Sequence, residues 1–190
     1  MSLRDGPLGD IRVPLTWSAA AALVIADADL AQTMRRAIGF RADAHAQDML
    51  PLAGRDILAF EGCAVAWGRA LDRAGIGLGD LSFVETHDCF TIAELIEYEA
   101  MGLAARGRGA AAVMDGTVAM GGRLPINPSG GLKAKGHPIG ATGVSMHALA
   151  AMQLCGEAGD MQVRGAELAG IYNMGGAAVA NYVSILERIK

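Results

Sequence analysis

With 190 residues, 52% of them hydrophobic and 19% charged, the chain is long enough for one domain with a full apolar core and too apolar to be disordered. A formal net charge of −4 leaves no basic face for a phosphate backbone, which argues against nucleic-acid binding. Three widely spaced cysteines, Cys63, Cys89 and Cys155, make neither a disulfide framework nor a metal-ligand spacing, so no metal site is expected and a reducing, cytoplasmic setting is.

Residues 1–18 are turn-rich, with Gly6-Pro7, Gly9 and Pro14, and read as a loop. Ala19 to Ala26 is the longest apolar run; it is far too short to span a bilayer, so no membrane partner is expected, and it reads as a buried strand. Asp29 to Ile38 reads as a short helix stopped by Gly39, and Asp56 to Phe60 as a strand. Cys63 to Ala74 has Trp67, Leu71 and Ala74 at helical spacing and Gly75 as its stop. Leu81 to Glu85 is a predicted strand and Thr91 to Met101 a predicted helix. Ala104 to Gly122 is ambiguous, and Leu124 to Gly136 is a turn-dense loop. A helix over Gly140 to Gly156, a strand over Glu167 to Tyr172, a tight turn at Asn173 to Gly176 and a strand over Ala177 to Leu186 complete the chain. Five strands alternating with helices, the last two in succession, imply an α/β domain: a mixed five-stranded sheet covered by helices, closed by an antiparallel pair.

Four features carry possible chemistry. His87-Asp88-Cys89-Phe90 lies between a strand and a helix, where open α/β sheets place their ligands. The helix N-terminus would favour a thiolate at Cys89, making it a nucleophile or proton carrier; the alternative is a buried, inert cysteine. Asn127 to Gly140 surrounds His137 with glycines, and its Pro138 suits a first helical turn. Such a loop can bring backbone N–H groups to a ligand, or it can be a tight loop with a hydrogen-bonded histidine. The Asn173-Met174-Gly175-Gly176 turn can offer bare backbone N–H groups as half an oxyanion hole, or be an ordinary hairpin connection. Glu94, Glu97 and Glu99 read as a solvated helix face, and His45, His147 and Cys63 as structural.

The ordered segments ETHDCFTIAELIEYEAMGL, LPINPSGGLKAKGHPIGATG and GIYNMGGAAVANYVSILER resemble the C-terminal half of thiolases. They are most similar to the sterol-carrier-protein-type members, often named acetyl-CoA acetyltransferases in bacteria. The resemblance runs from about Leu52 to the end, and Ala19 to Ala26 resembles the last strand of the family's N-terminal half. It implies that residues 1–50 are a residual segment of that half, and that 51–190 form a thiolase C-terminal domain, half of a five-layer αβαβα architecture. It implies acyl transfer onto a cysteine, then Claisen condensation or thiolysis of a 3-ketoacyl-CoA. The coenzyme A thioester is the substrate, no cofactor is covalently bound, and the setting is lipid metabolism, in fatty acid or sterol degradation.

Because the family's nucleophilic cysteine lies in the first half, the chain alone is expected to be inactive, with the N-terminal thiolase half as its natural partner and a homo-oligomer, simplest a dimer, as its assembly. By resemblance, His137 helps to activate the nucleophile and donates to an oxyanion hole, and His87 is the second donor. Cys89 is the acid/base, because Asn173-Met174-Gly175 stands where other thiolases have a Cys-x-Gly segment, and the Gly175 N–H serves a second oxyanion hole. Trp17-Ser18 replaces the family's usual Asp-Gly, so no coenzyme-binding residue is assigned. Thiolase-like retro-aldolases that act on sterol side-chain CoA thioesters, with a zinc-ribbon/OB partner, are the alternative, for which Tyr172 is the only hint. A non-catalytic acyl-CoA-binding subunit is a third.

Overall fold

A computed structural model describes residues 19–190, so the loop read over 1–18 and the Trp17-Ser18 departure lie outside the described residues. Ala19 to Ala26 is not a strand. It pairs with nothing in the sheet, and Val24 and Ile25 are exposed. The first helix, α1 (Ala28–Thr33), starts where the Asp27 carboxylate accepts the Asp29 N–H at 2.9 Å, and it stops before Ile38.

Ile38 instead opens the first strand, β1 (Ile38–Gln47), with Gly39 inside it. Ala42, Ala44 and Ala46 point inward while Arg41, Asp43, His45 and Gln47 face out, a period of two whose apolar members are the residue most favoured in helices. Asp56 to Phe60 is a turn rather than a strand: the Asp56 carboxylate accepts the Leu58 N–H at 2.9 Å and its carbonyl accepts Ala59 N–H at 3.0 Å, an Asx arrangement that bends the chain.

Helix α2 (Glu61–Ala74) follows as expected and ends at Gly75 with φ 67°. It buries Cys63, Ala66, Trp67 and Ala70 against the sheet. Strand β2 (Phe83–Glu85) is parallel to β3 (Leu168–Gly175), which is antiparallel to β4 (Ala180–Arg188), which is antiparallel in turn to β1. The sheet is therefore mixed, with four strands rather than five, in the order β1-β4-β3-β2. Gly170 of β3 has no freedom to be larger: a Cβ there would stand 2.7 Å from the Trp67 ring and 2.8 Å from a Leu81 methyl.

Between β2 and β3 lie α3 (Thr91–Ala100), α4 (Gly109–Met114) within the ambiguous stretch, α5 (Gly131–Lys135) within the turn-dense loop, and α6 (Thr142–Leu154). α6 covers the second face, where Met146, Ala150 and Leu154 meet Phe83, Ala169 and Ile171. Helices on both faces leave the carboxyl ends of the parallel strands β2 and β3 open side by side, the position where such sheets hold ligands. Among the described residues no helix is long and apolar enough to cross a membrane.

Candidate active site

Five residues singled out from the sequence meet at those strand ends. His87 and Cys89 follow β2, His137 precedes α6, and Asn173 and Gly175 finish β3; all line one cavity of about 420 Å³, with Phe90, Ile139 and Thr142 among its other walls. β3 runs three residues beyond Tyr172, so the turn falls at Gly176 to Val179 rather than Asn173 to Gly176. Gly176, Ala177 and Ala178 have φ of 60°, 54° and 62°, a conformation that costs an alanine about 1–2 kcal/mol. Two side chains hold it: Arg55 Nη2 donates to the Ala177 carbonyl at 2.7 Å and Asn181 Nδ2 to the Ala178 carbonyl at 2.9 Å.

The imidazole rings of His87 and His137 stand edge to face with centroids 4.9 Å apart. His87 Nδ1–H donates to Asn173 Oδ1 at 2.5 Å. His137 Nδ1–H donates to Thr142 Oγ1 at 2.8 Å, because that hydroxyl spends its own proton on the Pro138 carbonyl at 3.0 Å. Each neutral ring therefore keeps Nε2 for chemistry. Burial, and then the neighbouring His137 ring, lower the His87 pKa to about 4. Burial lowers His137 as well, partly countered by Asp88.

The cysteine reverses one expectation. α3 starts two residues past Cys89, but burial outweighs its dipole and raises the thiol, to about 11 with Glu97 ionised. At neutral pH Cys89 is held as the thiol rather than as a ready thiolate.

A set of charges that sequence reasoning passed over locks two of the cavity-lining loops together. Asp88, buried between His87 and Cys89, accepts the Leu132 N–H at 2.8 Å and Lys133 Nζ at 3.3 Å. Lys133 Nζ also reaches Glu94 at 3.1 Å, and Lys135 Nζ reaches Glu85 at 3.3 Å and Ser129 Oγ at 3.1 Å. Gly131, at φ 65°, is the close approach this requires, since a Cβ would lie 2.4 Å from the Asp88 carboxylate. The acidic set on α3 is thus no solvated face: Glu94 is paired, Glu99 accepts the Gly107 and Gly109 N–H groups at 2.8 and 2.7 Å, and Glu97 is fully buried. The two lysines inside an otherwise glycine-rich loop were the available signal.

Tyr172 does not face the cavity. It is fully buried and its hydroxyl donates to Asn181 Oδ1 at 2.7 Å, which removes the residue-level hint of a tyrosine at a reacting carbon. His147 is satisfied structurally, donating Nδ1–H to the Gly143 carbonyl at 2.7 Å and meeting Ser184 Oγ at 3.0 Å. His45 stacks on Tyr182 with centroids 4.5 Å apart at the sheet surface.

A mixed sheet between helices, with an imidazole and a thiol after one strand and a second imidazole leading a helix, defines the thiolase class of acyl-transfer folds. The family described as "Thiolase C-terminal domain-like" matches residues 44–188, and the chain belongs to it. Among curated relatives, an acetyl-CoA acetyltransferase of Methanothermobacter thermautotrophicus is 39% identical over 171 residues, 89% of this chain and 45% of that protein. Sterol carrier protein 2 of Rattus norvegicus is 49% identical over 113 residues, 58% of this chain and 21% of the relative. The chain thus spans less than half the length of these relatives. Among solved structures, an Ltp2-ChsH2(DUF35) aldolase shares the fold at TM-score 0.70 and 22% identity, over 80% of this chain and 39% of that one.

Proposed function

We propose that this chain supplies the C-terminal part of the active site of a thiolase-type acyltransferase, working on a CoA thioester by Claisen condensation or by thiolysis of a 3-ketoacyl-CoA. The observation that carries this reading is the convergence of Cys89, both imidazoles and Gly175 on one cavity. Cys63 is sealed in the core and Cys155 ends α6, so Cys89 is the one cysteine among the described residues lining that cavity.

On this reading the nucleophile comes from an N-terminal thiolase half, and β1, which pairs with β4, joins 51–190 in the C-terminal domain. His137 Nε2 takes the nucleophile's proton and, once protonated, donates to the thioester oxygen. Turning the Asn173 amide by half a rotation moves the His87 proton from Nδ1 to Nε2, so Asn173 selects whether that ring accepts or donates. The Cys89 thiol protonates the departing enolate carbon in thiolysis and, as thiolate, removes the α-proton in condensation. The Gly175 N–H serves the acyl-enzyme oxygen. The complete enzyme works without a covalently bound cofactor, in the cytoplasm, as a homo-oligomer.

The test is thiolysis of acetoacetyl-CoA by the chain alone and by the chain joined to the N-terminal part of the archaeal relative. Turnover only in the joined protein supports the proposal, with Cys89→Ala removing condensation while acyl-enzyme formation persists. Retro-aldol cleavage of a 3-hydroxyacyl-CoA without thiolysis would replace it with a carbon–carbon lyase, the activity in the name of the aldolase sharing this fold, and would call for a DUF35-type partner. Neither activity would leave an acyl-CoA-binding subunit.

A further inference from the structure

Glu97 has no part in the chemistry above, yet it lies beneath that chemistry. Its side chain is fully buried on α3. Oε2 accepts the hydroxyl of Thr86, the residue before His87, while Oε1 has no hydrogen-bond partner among the described residues. The nearby cations are committed elsewhere: Lys133 to Asp88 and Glu94, Lys135 to Glu85.

Every titratable group whose field it shares is a carboxyl, a thiol or a phenol. Asp88 and Cys89 approach from the turn after β2, Glu94 and Tyr98 from α3 itself, Cys63 from α2 and Tyr172 from β3. A buried carboxylate with no cation is expensive, and in practice such a group takes a proton. Burial first, then Glu94 and Asp88, accordingly raise Glu97 well above the ordinary carboxylate range, while the Thr86 hydroxyl pulls the other way.

We infer that Glu97 is a positioning residue of the acyl-transfer site: a neutral acid sealed under Thr86 to Cys89, it holds that turn through the Thr86 hydroxyl and leaves the one mobile negative charge of the enclosure to Cys89. The inference rests on the acyl-transfer reading for its purpose, but its physical content concerns Cys89 alone. Two negative charges cannot share so dry a space at low cost, so a neutral Glu97 is the condition under which Cys89 can give up and regain a proton. An ionised Glu97 would hold Cys89 protonated through the whole cycle.

The test is peptide-resolved alkylation of Cys89 by iodoacetamide at pH 8.5 on the full chain, comparing the unaltered protein with Glu97→Gln and Glu97→Ala. Below its midpoint, the thiolate fraction, and so the rate, changes about tenfold per pK unit. Glu97→Gln, which keeps the shape and the neutral charge, should react within about twofold of the unaltered chain. Glu97→Ala, which lets water in and frees the turn, should react at least tenfold faster, with faster amide exchange over Thr86 to Cys89. A tenfold acceleration in Glu97→Gln would show that a charge had been removed and would overturn the inference. Unchanged alkylation and exchange in a folded Glu97→Ala would overturn the positioning role. If Glu97→Ala fails to fold, the glutamine variant still decides. None of these measurements needs turnover, so their failure is distinguishable from failure of the acyl-transfer reading.

Discussion

Replacing Asp88 by alanine should uncouple the loops that carry His87 and His137 at a cost readable in stability. The carboxylate accepts the Leu132 N–H at 2.8 Å and Lys133 Nζ at 3.3 Å, and it is buried. A hydrogen bond to a charged group is worth about 1.5–3 kcal/mol, and stranding one partner of a buried ion pair costs about 3–5 kcal/mol. Lys133 keeps Glu94 at 3.1 Å, so the second figure applies only in part. The expected loss is about 3 kcal/mol. With a urea slope of about 2 kcal/mol/M, the unfolding midpoint should fall by about 1.5 M, read by circular dichroism on the full chain. Asp88→Asn, which can still accept the Leu132 N–H, should lose roughly half as much. A loss below about 1 kcal/mol for Asp88→Ala, at unchanged slope, would refute the idea that this carboxylate ties the loop carrying His137 to the turn carrying His87.

Gly170→Ala drives a methyl into the Trp67 ring at 2.7 Å and should cost about 1–3 kcal/mol by overpacking, in the same urea assay, with Trp67→Phe in the background recovering part of it. His87 has a folded pKa of about 4 against 6.5 for the free group, so the folded state prefers the neutral ring. That contribution is fully present above pH 6.5 and is lost as pH falls toward 4, amounting to about 3 kcal/mol; stability measured against pH should drop less in His87→Gln across that window, and parallel curves would count against it. Cys63 is fully buried and burial raises its thiol, so mass spectrometry after brief alkylation should find it unmodified until denaturant is added, while Cys155 reacts; early modification of Cys63 would contradict the packing of α2.

Much of the site was legible in the sequence because its parts are punctuation. A histidine and cysteine between a strand and a helix, a proline after His137 and glycines after Asn173 are local signals, and the sheet supplies their meeting point. β1 was illegible for a physical reason: its inward face is Ala42, Ala44 and Ala46, and alanine alternation has no strand preference of its own, so only pairing with β4 decides it. Asp56 to Phe60 failed in the opposite sense, because an apolar run was outvoted by one aspartate, whose carboxylate captures the Leu58 N–H and whose carbonyl captures that of Ala59. Glu97 looked like surface because charge on a helix usually means solvent. Which helical face turns inward depends on α3 lying over the turn after β2, a contact between segments that a one-dimensional pattern does not contain.

The alanine turn after β3 has a consequence for how firmly the Gly175 amide is aimed. Three successive residues wound in the left-handed sense form a coiled spring, and Arg55 and Asn181 are the pins that keep it wound. Loosening either pin would release the alanines toward their ordinary backbone and swing the cavity rim at Gly176 and Ala177, although neither pin lines the cavity. The rim's shape is therefore governed from behind, by a guanidinium near Asp48 and an amide wedged under β1, both out of reach of anything that enters the cavity.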